Sequence, residues 1–255
     1  WSSSKMKMKK IKGFTLLETL VAMVIGMLSI AAIFFSYQTF SKAYDSVSNK
    51  AEMNSNARNA LSQMTREIRN TGRIDPNSVM THNPLAETYF LQKYTSPRGY
   101  SQYYTGADFL QIFYDDSPTT RIRIDYGLKK YKDNNETYLA RTYMVFHCTE
   151  PNKCTLPIRN VDQIFINNVE DFQVVLKDKD GNEVTPVNQL SANVGKENQK
   201  KIKTAELYIT TKSKDKIYKT KKTWKISNAD RSYVVKDQHH RDTYFVSVYL
   251  RNIIK

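Results

Sequence analysis

The sequence predicts an α+β fold, in which one long N-terminal helix precedes a head built from an antiparallel β-sheet. Three observations predict it. Residues 14–35 are apolar except for a few small or polar side chains and one charge, Glu18, and helical spacing of apolar residues continues to about Thr71. No proline occurs before Pro76. Beyond Gly72 the apolar residues recur at a period of two in several segments, which is typical of strands.

The first 13 residues form a basic segment ahead of the apolar run. They contain no acidic residue, and we assign no function to residues 1–5. The apolar run of residues 14–35 would span about 33 Å as a helix, close to the hydrocarbon thickness of a bilayer. Lysines before such a helix favour a cytoplasmic N-terminus, so the head is expected outside the cytoplasm. The lysines are Lys5, Lys7, Lys9, Lys10 and Lys12.

An ordinary secretory signal peptide is the alternative interpretation of this N-terminus. A signal core is usually shorter and ends at a small-residue cleavage site. Here the apolar run is followed by Tyr37, Gln38, Thr39 and Phe40, which offer no such site. We therefore expect a single-pass membrane precursor.

Glu18 needs a partner, because a carboxylate near the end of a membrane helix is costly when it is unpaired. A cut immediately before Phe14 would create a free α-amine four residues away. In a filament of packed helices, that amine on one subunit could pair with Glu18 of the next. Such a pair would fix the register of the subunits.

The segment Lys12-Gly13-Phe14-Thr15-Leu16-Leu17-Glu18 resembles the cleavage motif of type IV prepilins and pseudopilins. The resemblance implies that residues 1–13 are a leader removed by a prepilin peptidase. Gly13 would be the last leader residue, Phe14 the N-methylated terminus and Glu18 the subunit-assembly charge. The implied partners are other major and minor pilins and an inner-membrane assembly platform. The alternative is a plain membrane anchor in which Gly13 and Phe14 adjoin by chance.

The helix is predicted to have two halves. Residues 14–35 form the transmembrane or filament-core half, residues 36–72 form an amphipathic half, and residues 73–255 form the head. Apolar residues of the second half follow helical spacing, although Asn54 and Ser55 interrupt the seam. A continuous coiled coil is the less favoured alternative. The spaced residues are Phe40, Tyr44, Val47, Ala51, Ala57, Leu61, Met64 and Ile68.

The head is predicted to consist of strands separated by turns and two long loops. Turns are expected at Asp133-Asn134-Asn135 and at residues 178–182. The long loops are expected at residues 71–106 and 185–198. Strands are expected at residues 109–114, 121–126, 138–146, 172–176, 205–211, 216–226 and 244–250.

Three further segments resemble PilW-type minor pilins, which are related to the J-type pseudopilins of type II secretion. They begin at Arg58-Asn59-Ala60-Leu61, at Val169-Glu170-Asp171-Phe172 and at Tyr244-Phe245-Val246. This resemblance implies a non-enzymatic subunit that primes or joins assembly of a type IV pilus, supporting motility, adhesion or DNA uptake. The precursor would lie in the bacterial inner membrane, and the mature subunit in a pilus or pseudopilus. The alternatives are a type II secretion pseudopilin and a DNA-binding competence pilin.

Cys148 and Cys154 are the two cysteines of the chain. With His147 they supply three ligands, which do not complete a structural zinc site. Outside the cytoplasm a small disulfide loop is the favoured interpretation, and a pair of free thiols is the alternative.

The sequence contains no nucleophile motif, phosphate-binding glycine loop or complete metal-ligand set. We predict no catalytic residue, no metal and no cofactor. Two weaker patterns could indicate metal binding: His239-His240 as part of a metal site, and Asp178-Lys179-Asp180-Gly181 as a calcium-binding loop. The second is better explained as a hairpin turn, because an EF-type loop has its glycine at position six. The 17 tyrosines and the lysines of residues 200–203 and 219–225 leave nucleic-acid binding open.

Overall fold

The computed structural model describes residues 13–78, 91–95, 107–131, 136–150, 153–155, 158–159, 163–184, 198, 200–228 and 231–252. The basic segment before Gly13 and the turn predicted at residues 133–135 lie outside these ranges. So does the loop predicted over residues 185–198, apart from residue 198, which is helical. The chain divides into two units, residues 1–48 and residues 49–255. Each unit is described by itself.

One helix, α1 (Leu16–Asn70), contributes to both units and confirms the long N-terminal helix predicted over about residues 14–71. Its end follows from local chemistry. The amide of Thr71 donates to the carbonyl of Ile68 at 3.0 Å, which tightens the last turn. Gly72 then adopts a positive φ of 74°, a conformation that glycine accepts without a Cβ clash.

The described part of the N-terminal unit consists of a short non-helical start followed by α1. Every residue from 14 to 35 except Gly26 is exposed in the isolated chain. The exposed side chains include Phe14, Leu16 and Phe35, at 86%, 83% and 74%. An apolar surface of this kind is stable only against lipid or against other apolar helices.

The C-terminal unit packs the second half of α1 against antiparallel β-sheets. Five α1 side chains are buried, and their helical spacing places them on one face: Ala57, Ala60, Leu61, Met64 and Ile68. Strand residues complete the core, among them the fully buried Phe109, Ile112, Tyr126, Phe172 and Leu207. The predicted α+β class, with one long helix and an antiparallel C-terminal region, is therefore confirmed.

The largest described sheet has seven strands, and all of its pairings are antiparallel. Its path runs β1 (Leu91–Thr95), β2 (Asp108–Ser117), β3 (Thr120–Lys130), β4 (Thr137–Glu150) and β5 (Lys153–Cys154). The long β4 also pairs with β6 (Ile158–Arg159) and β7 (Gln163–Asn167).

Two smaller sheets follow along the chain. In the first, β9 (Thr204–Lys212) lies between β8 (Val169–Lys177) and β12 (Arg241–Tyr249). The second is a two-stranded hairpin of β10 (Lys222–Asn228) and β11 (Arg231–Asp237). The chain leaves the seven-stranded sheet and enters the three-stranded one through a single residue, Asn168, whose φ is 56°.

Two details of the predicted head are wrong. The loop predicted over residues 71–106 contains β1, whose two apolar residues, Leu91 and Tyr94, are three apart and do not alternate. The strand predicted from Lys216 begins only at Lys222. The amides of Ile217 and Tyr218 both donate to the carbonyl of Gln238, at 3.0 Å each, which is incompatible with a regular strand ladder.

Candidate functional site

The residues of the predicted cleavage site lie at the start of the N-terminal unit. Gly13, Phe14 and Thr15 are non-helical, and the helix begins at the next residue, Leu16. All three are exposed. A Cβ built on Gly13 would meet no atom within 4 Å, so the backbone at this position is open to an approaching protein.

Glu18 and Thr15 form a capping box at this helix start. The Oε2 atom of Glu18 accepts hydrogen bonds from the amide of Thr15 at 2.9 Å and from its hydroxyl at 3.1 Å. The amide of Glu18 donates back to the Oγ1 atom of Thr15 at 3.2 Å. This reciprocal set satisfies helix-terminal amides that have no partner within the helix. The negative charge also lies at the positive end of the helix dipole.

The capping role of Glu18 was missed by the sequence analysis, although the signal was present. A threonine three residues before a glutamate, ahead of an apolar run, is the usual sequence signature of a capping box. The second carboxylate oxygen, Oε1, takes part in none of these hydrogen bonds. Glu18 can therefore cap its own helix and still offer one oxygen to another group.

The helix that follows is long and apolar enough to cross a membrane. It is the one such helix in the described ranges, and the most apolar 18-residue window within it has no buried residue. Length and composition alone do not separate a membrane anchor from a signal sequence or a buried helix. Complete exposure in the isolated chain distinguishes this segment from a buried core helix.

Comparison with known proteins identifies this N-terminus. A sequence profile described as "Prokaryotic N-terminal methylation motif" matches residues 8–34, which include Gly13, Phe14 and Glu18. The chain carries the N-terminal methylation motif of a prepilin leader. The matched region ends within the apolar run and says nothing of the C-terminal unit.

Among solved structures, a type IV-like pilin from Thermus thermophilus is similar to this chain. The identity is 14%, the match covers 79% of this chain and 97% of that chain, and the TM-score is 0.43. A search of curated proteins gave no significant match.

The two cysteines meet at the far end of β4. The register of β4 and β5 places Cys148 directly opposite Cys154, and the Cys148 side chain is buried. His147 does not join them as a ligand, since its Nδ1 atom lies 3.2 Å from the hydroxyl of Thr120. Adjacent residues of a strand also point to opposite faces, which separates His147 from Cys148.

His239 and His240 lie in the connection between β11 and β12. Each ring has a protein partner. The Nδ1 atom of His239 lies 2.9 Å from the Ser213 carbonyl oxygen. His240 lies 2.9 Å from the hydroxyl of Tyr218 through Nδ1 and 2.9 Å from Asp242 through Nε2. Within the described ranges, no group of three potential metal ligands occurs.

Asp178 forms the predicted turn after β8. Its Oδ1 atom accepts hydrogen bonds from the amides of Asp180 and Asn182, both at 2.9 Å, and Gly181 adopts a positive φ of 86°. These bonds define a turn closed by its own aspartate. The turn accounts for the Asp178-Lys179-Asp180-Gly181 pattern, which was also considered as a calcium loop, without requiring an ion.

The basic segments considered for nucleic acid, residues 200–203 and 219–225, both lie within the described ranges. Lys219, Lys221, Lys222 and Lys225 are exposed at the start of β10 and in the residues just before it. Lys222 also lies 3.8 Å from the ring centroid of Tyr218, as a cation–π pair. Exposed lysines of this kind attract anions generally, so nucleic-acid binding stays a prediction.

Proposed function

We propose that the chain is a type IV pilin-like subunit, a structural protein that is anchored in the membrane and then assembled into a filament. One observation carries the proposal: an exposed, accessible Gly13-Phe14 step directly precedes a capped helix whose first 20 residues are mostly apolar, carry one charge, Glu18, and are unburied. Cleavage at this step would leave the apolar helix as the mature N-terminus. Such a helix requires lipid first and neighbouring helices afterwards.

In this scheme residues 1–13 stay in the cytoplasm as the leader and residues 14–35 cross the inner membrane. The lysines of the leader support this orientation. A prepilin peptidase would then cut after Gly13 and methylate Phe14. The C-terminal unit would fold outside the cytoplasm, and the mature subunit would leave the membrane for a pilus or pseudopilus through the assembly platform.

Glu18 would have two tasks in the mature protein. It keeps the hydrogen bonds to Thr15 that close the helix start, and Oε1 receives the α-amine of Phe14 from a neighbouring subunit. The pair would be costly to leave unmade inside an apolar bundle, which favours one axial register. Neighbouring partners would be major and minor pilins.

We also propose a disulfide between Cys148 and Cys154. Support comes from their directly opposed positions on paired strands and from the expected location outside the cytoplasm. The bridge would close a short loop at the end of β4.

More specifically, we propose that the chain is a minor pilin of the PilW type, which primes or joins pilus assembly for motility, adhesion or DNA uptake. A type II secretion pseudopilin is the nearest alternative, with the same assembly chemistry but a role in protein export. A DNA-binding competence pilin is favoured only by the exposed lysines near β10, and a salt-sensitive shift of DNA would test it. We propose no catalytic activity, metal or cofactor.

The deciding experiment is intact mass and N-terminal sequencing after expression with and without a prepilin peptidase. We expect a peptidase-dependent new terminus at Phe14, heavier by one methyl group. The control is a Gly13→Leu variant, which should block cutting at this step. Gly13→Ala is less informative, because alanine is nearly as small as glycine. An uncut chain, or a cut beyond residue 35, would make this an ordinary anchored or secreted protein.

A further inference from the structure

A polar groove lies in the C-terminal unit where the chain passes from the seven-stranded sheet to the three-stranded one. It consists of two adjoining cavities of about 170 and 250 Å³, which share the lining residues Asn167, Asn168 and Lys214. Helix α1 borders the first cavity through Glu52 and Asn56. Both cavities are smaller than the roughly 300–1,000 Å³ of a site for a drug-sized molecule. The groove therefore suits one or two small rings.

The wall of the groove is fixed by backbone geometry. Asn168 is the one residue between β7 and β8, and its φ of 56° lies in the left-handed region. Asparagine tolerates this conformation better than most residues. Its carbonyl accepts a hydrogen bond from the amide of Lys212 at 2.8 Å, which holds the turn against β9. The groove is therefore shaped before any ligand arrives.

Several polar side chains on this wall have donors or acceptors that are available to a ligand. Glu52, Asn56 and Lys214 are exposed, and none makes a side-chain hydrogen bond or ion pair with a described residue. Asn167 differs, since its Oδ1 atom accepts a hydrogen bond from the hydroxyl of Tyr131 at 2.6 Å. That bond holds the Tyr131 ring, itself only partly buried, at the border of the second cavity.

We propose that this groove binds a neutral, polyhydroxylated ligand, namely a mono- or disaccharide unit of a glycan. A carboxamide both donates and accepts, as does each hydroxyl of a sugar, so asparagines match a ring of hydroxyls. Each cavity is lined by one carboxylate, Glu52 in the first and Glu136 in the second, and both share Lys214, so neither cavity carries charges of one sign only. The ring of Tyr131 lines the second cavity and packs against Tyr138 with 4.6 Å between the ring centroids, which adds apolar surface at this border. This role is independent of the proposed filament assembly.

The test uses the full chain in a detergent without a sugar headgroup. Saturation-transfer NMR would be measured with glucose, galactose, N-acetylglucosamine and lactose, and with glucose 6-phosphate and glycylglycine as charged comparators. We expect saturable binding of at least one neutral sugar with a Kd on the order of 1 mM. Asn56→Ala combined with Lys214→Ala should weaken that binding by roughly tenfold or more, because two donors to the ligand are lost.

The matched control is Asn59→Ala, which removes an exposed asparagine from the same helix outside the groove. It should bind the sugar as the wild type does, as should Glu18→Gln, whose defect would concern assembly alone. The proposal is overturned if no neutral sugar binds saturably, or if the groove variant binds as well as the control. Preferential binding of glucose 6-phosphate or glycylglycine would also overturn it.

Discussion

One carboxylate oxygen of Glu18, Oε2, accepts hydrogen bonds from the amide and the hydroxyl of Thr15, at 2.9 and 3.1 Å. The other oxygen is left for a second partner. Capping of the helix and the proposed pairing with a neighbouring subunit therefore use different oxygens of one side chain, and different substitutions test them.

The first prediction separates these two properties. Glu18→Gln retains an oxygen that can close the capping box but removes the charge. We expect membrane insertion to stay normal and incorporation into filaments to fall roughly tenfold or more, as loss of about 1.4 kcal/mol of pairing would give. Glu18→Ala should show the same defect. Incorporation is measured as the fraction of the chain recovered in sheared filaments.

Thr15→Ala is the matched control for this series. It removes the N-cap hydroxyl and costs about 1 kcal/mol of helix stability, but it keeps the charge of Glu18. Filament incorporation should therefore fall much less than in Glu18→Gln. Normal incorporation of Glu18→Gln would refute the pairing role, and a larger defect in Thr15→Ala would make capping the main function of Glu18.

The second prediction concerns the contact between α1 and the seven-stranded sheet. Arg141 Nη2 lies 2.7 Å from Glu67 Oε1, and each side chain retains only 12% of its exposure. Tyr126 donates a hydrogen bond from its hydroxyl to the same carboxylate. Arg141→Leu would leave the partly buried Glu67 carboxylate without a cation. We expect a loss of about 3 kcal/mol in the free energy of unfolding, measured by urea denaturation.

The double variant Glu67→Gln with Arg141→Leu shows whether the uncompensated charge is responsible. Glutamine keeps an acceptor for Tyr126 but carries no charge, so most of the lost stability should return. Lys179→Ala provides a surface control, since its partner Asp180 lies 3.9 Å away and both side chains are largely exposed. That change should alter stability by less than about 0.5 kcal/mol.

The third prediction concerns the proposed disulfide and tests it by the reactivity of the two thiols. Cys148 and Cys154 should resist thiol labelling in the native protein until a reductant is added. A bridge across so short a loop should stabilise the C-terminal unit by about 2 kcal/mol. Cys148→Ala with Cys154→Ala should therefore lower the unfolding temperature, and reductant should not lower it further. Ready labelling without reductant would show that both thiols are free.

The long helix and most strands could be predicted because their signals are local. Residues 14–35 are apolar except for Glu18 and a few small or polar side chains, and Arg121-Ile122-Arg123-Ile124 alternates along β3. β1 could not be predicted this way, because Leu91 and Tyr94 do not alternate and its pairing with β2 is a tertiary contact. The division into three sheets depends on long-range pairing for the same reason.

The candidate sites also divide into one that local sequence predicts and one that depends on tertiary contacts. Gly13, Phe14 and Glu18 follow from a short contiguous motif, and so does the capping box once the spacing of Thr15 and Glu18 is considered. The groove could not be predicted. Its walls come from Asn56 on the helix, Asn168 between two sheets and Lys214 after β9, and only the fold brings these residues together.

The last prediction concerns acid stability and rests on Asp237. Both of its oxygens accept hydrogen bonds from Arg241, at 2.6 and 2.7 Å. These bonds lower the pKa of Asp237 from 3.8 to about 2. A carboxyl group with a lowered pKa in the folded state contributes stability above the pKa of the unfolded chain, and that contribution disappears as pH falls through the folded pKa. The relevant window is therefore pH 4 to 2.

The contribution at neutral pH is on the order of 2 kcal/mol, from about 1.4 kcal/mol per pKa unit, and partial exposure of the carboxylate reduces it. Asp237→Asn should be less stable than the wild type at pH 6, and the difference should shrink steadily between pH 4 and pH 2. Asp180→Asn is the control, because that carboxylate is largely exposed and its removal should have a small effect at every pH. A difference for Asp237→Asn that stays constant down to pH 2 would show that the loss comes from packing and that ionisation of Asp237 is not responsible.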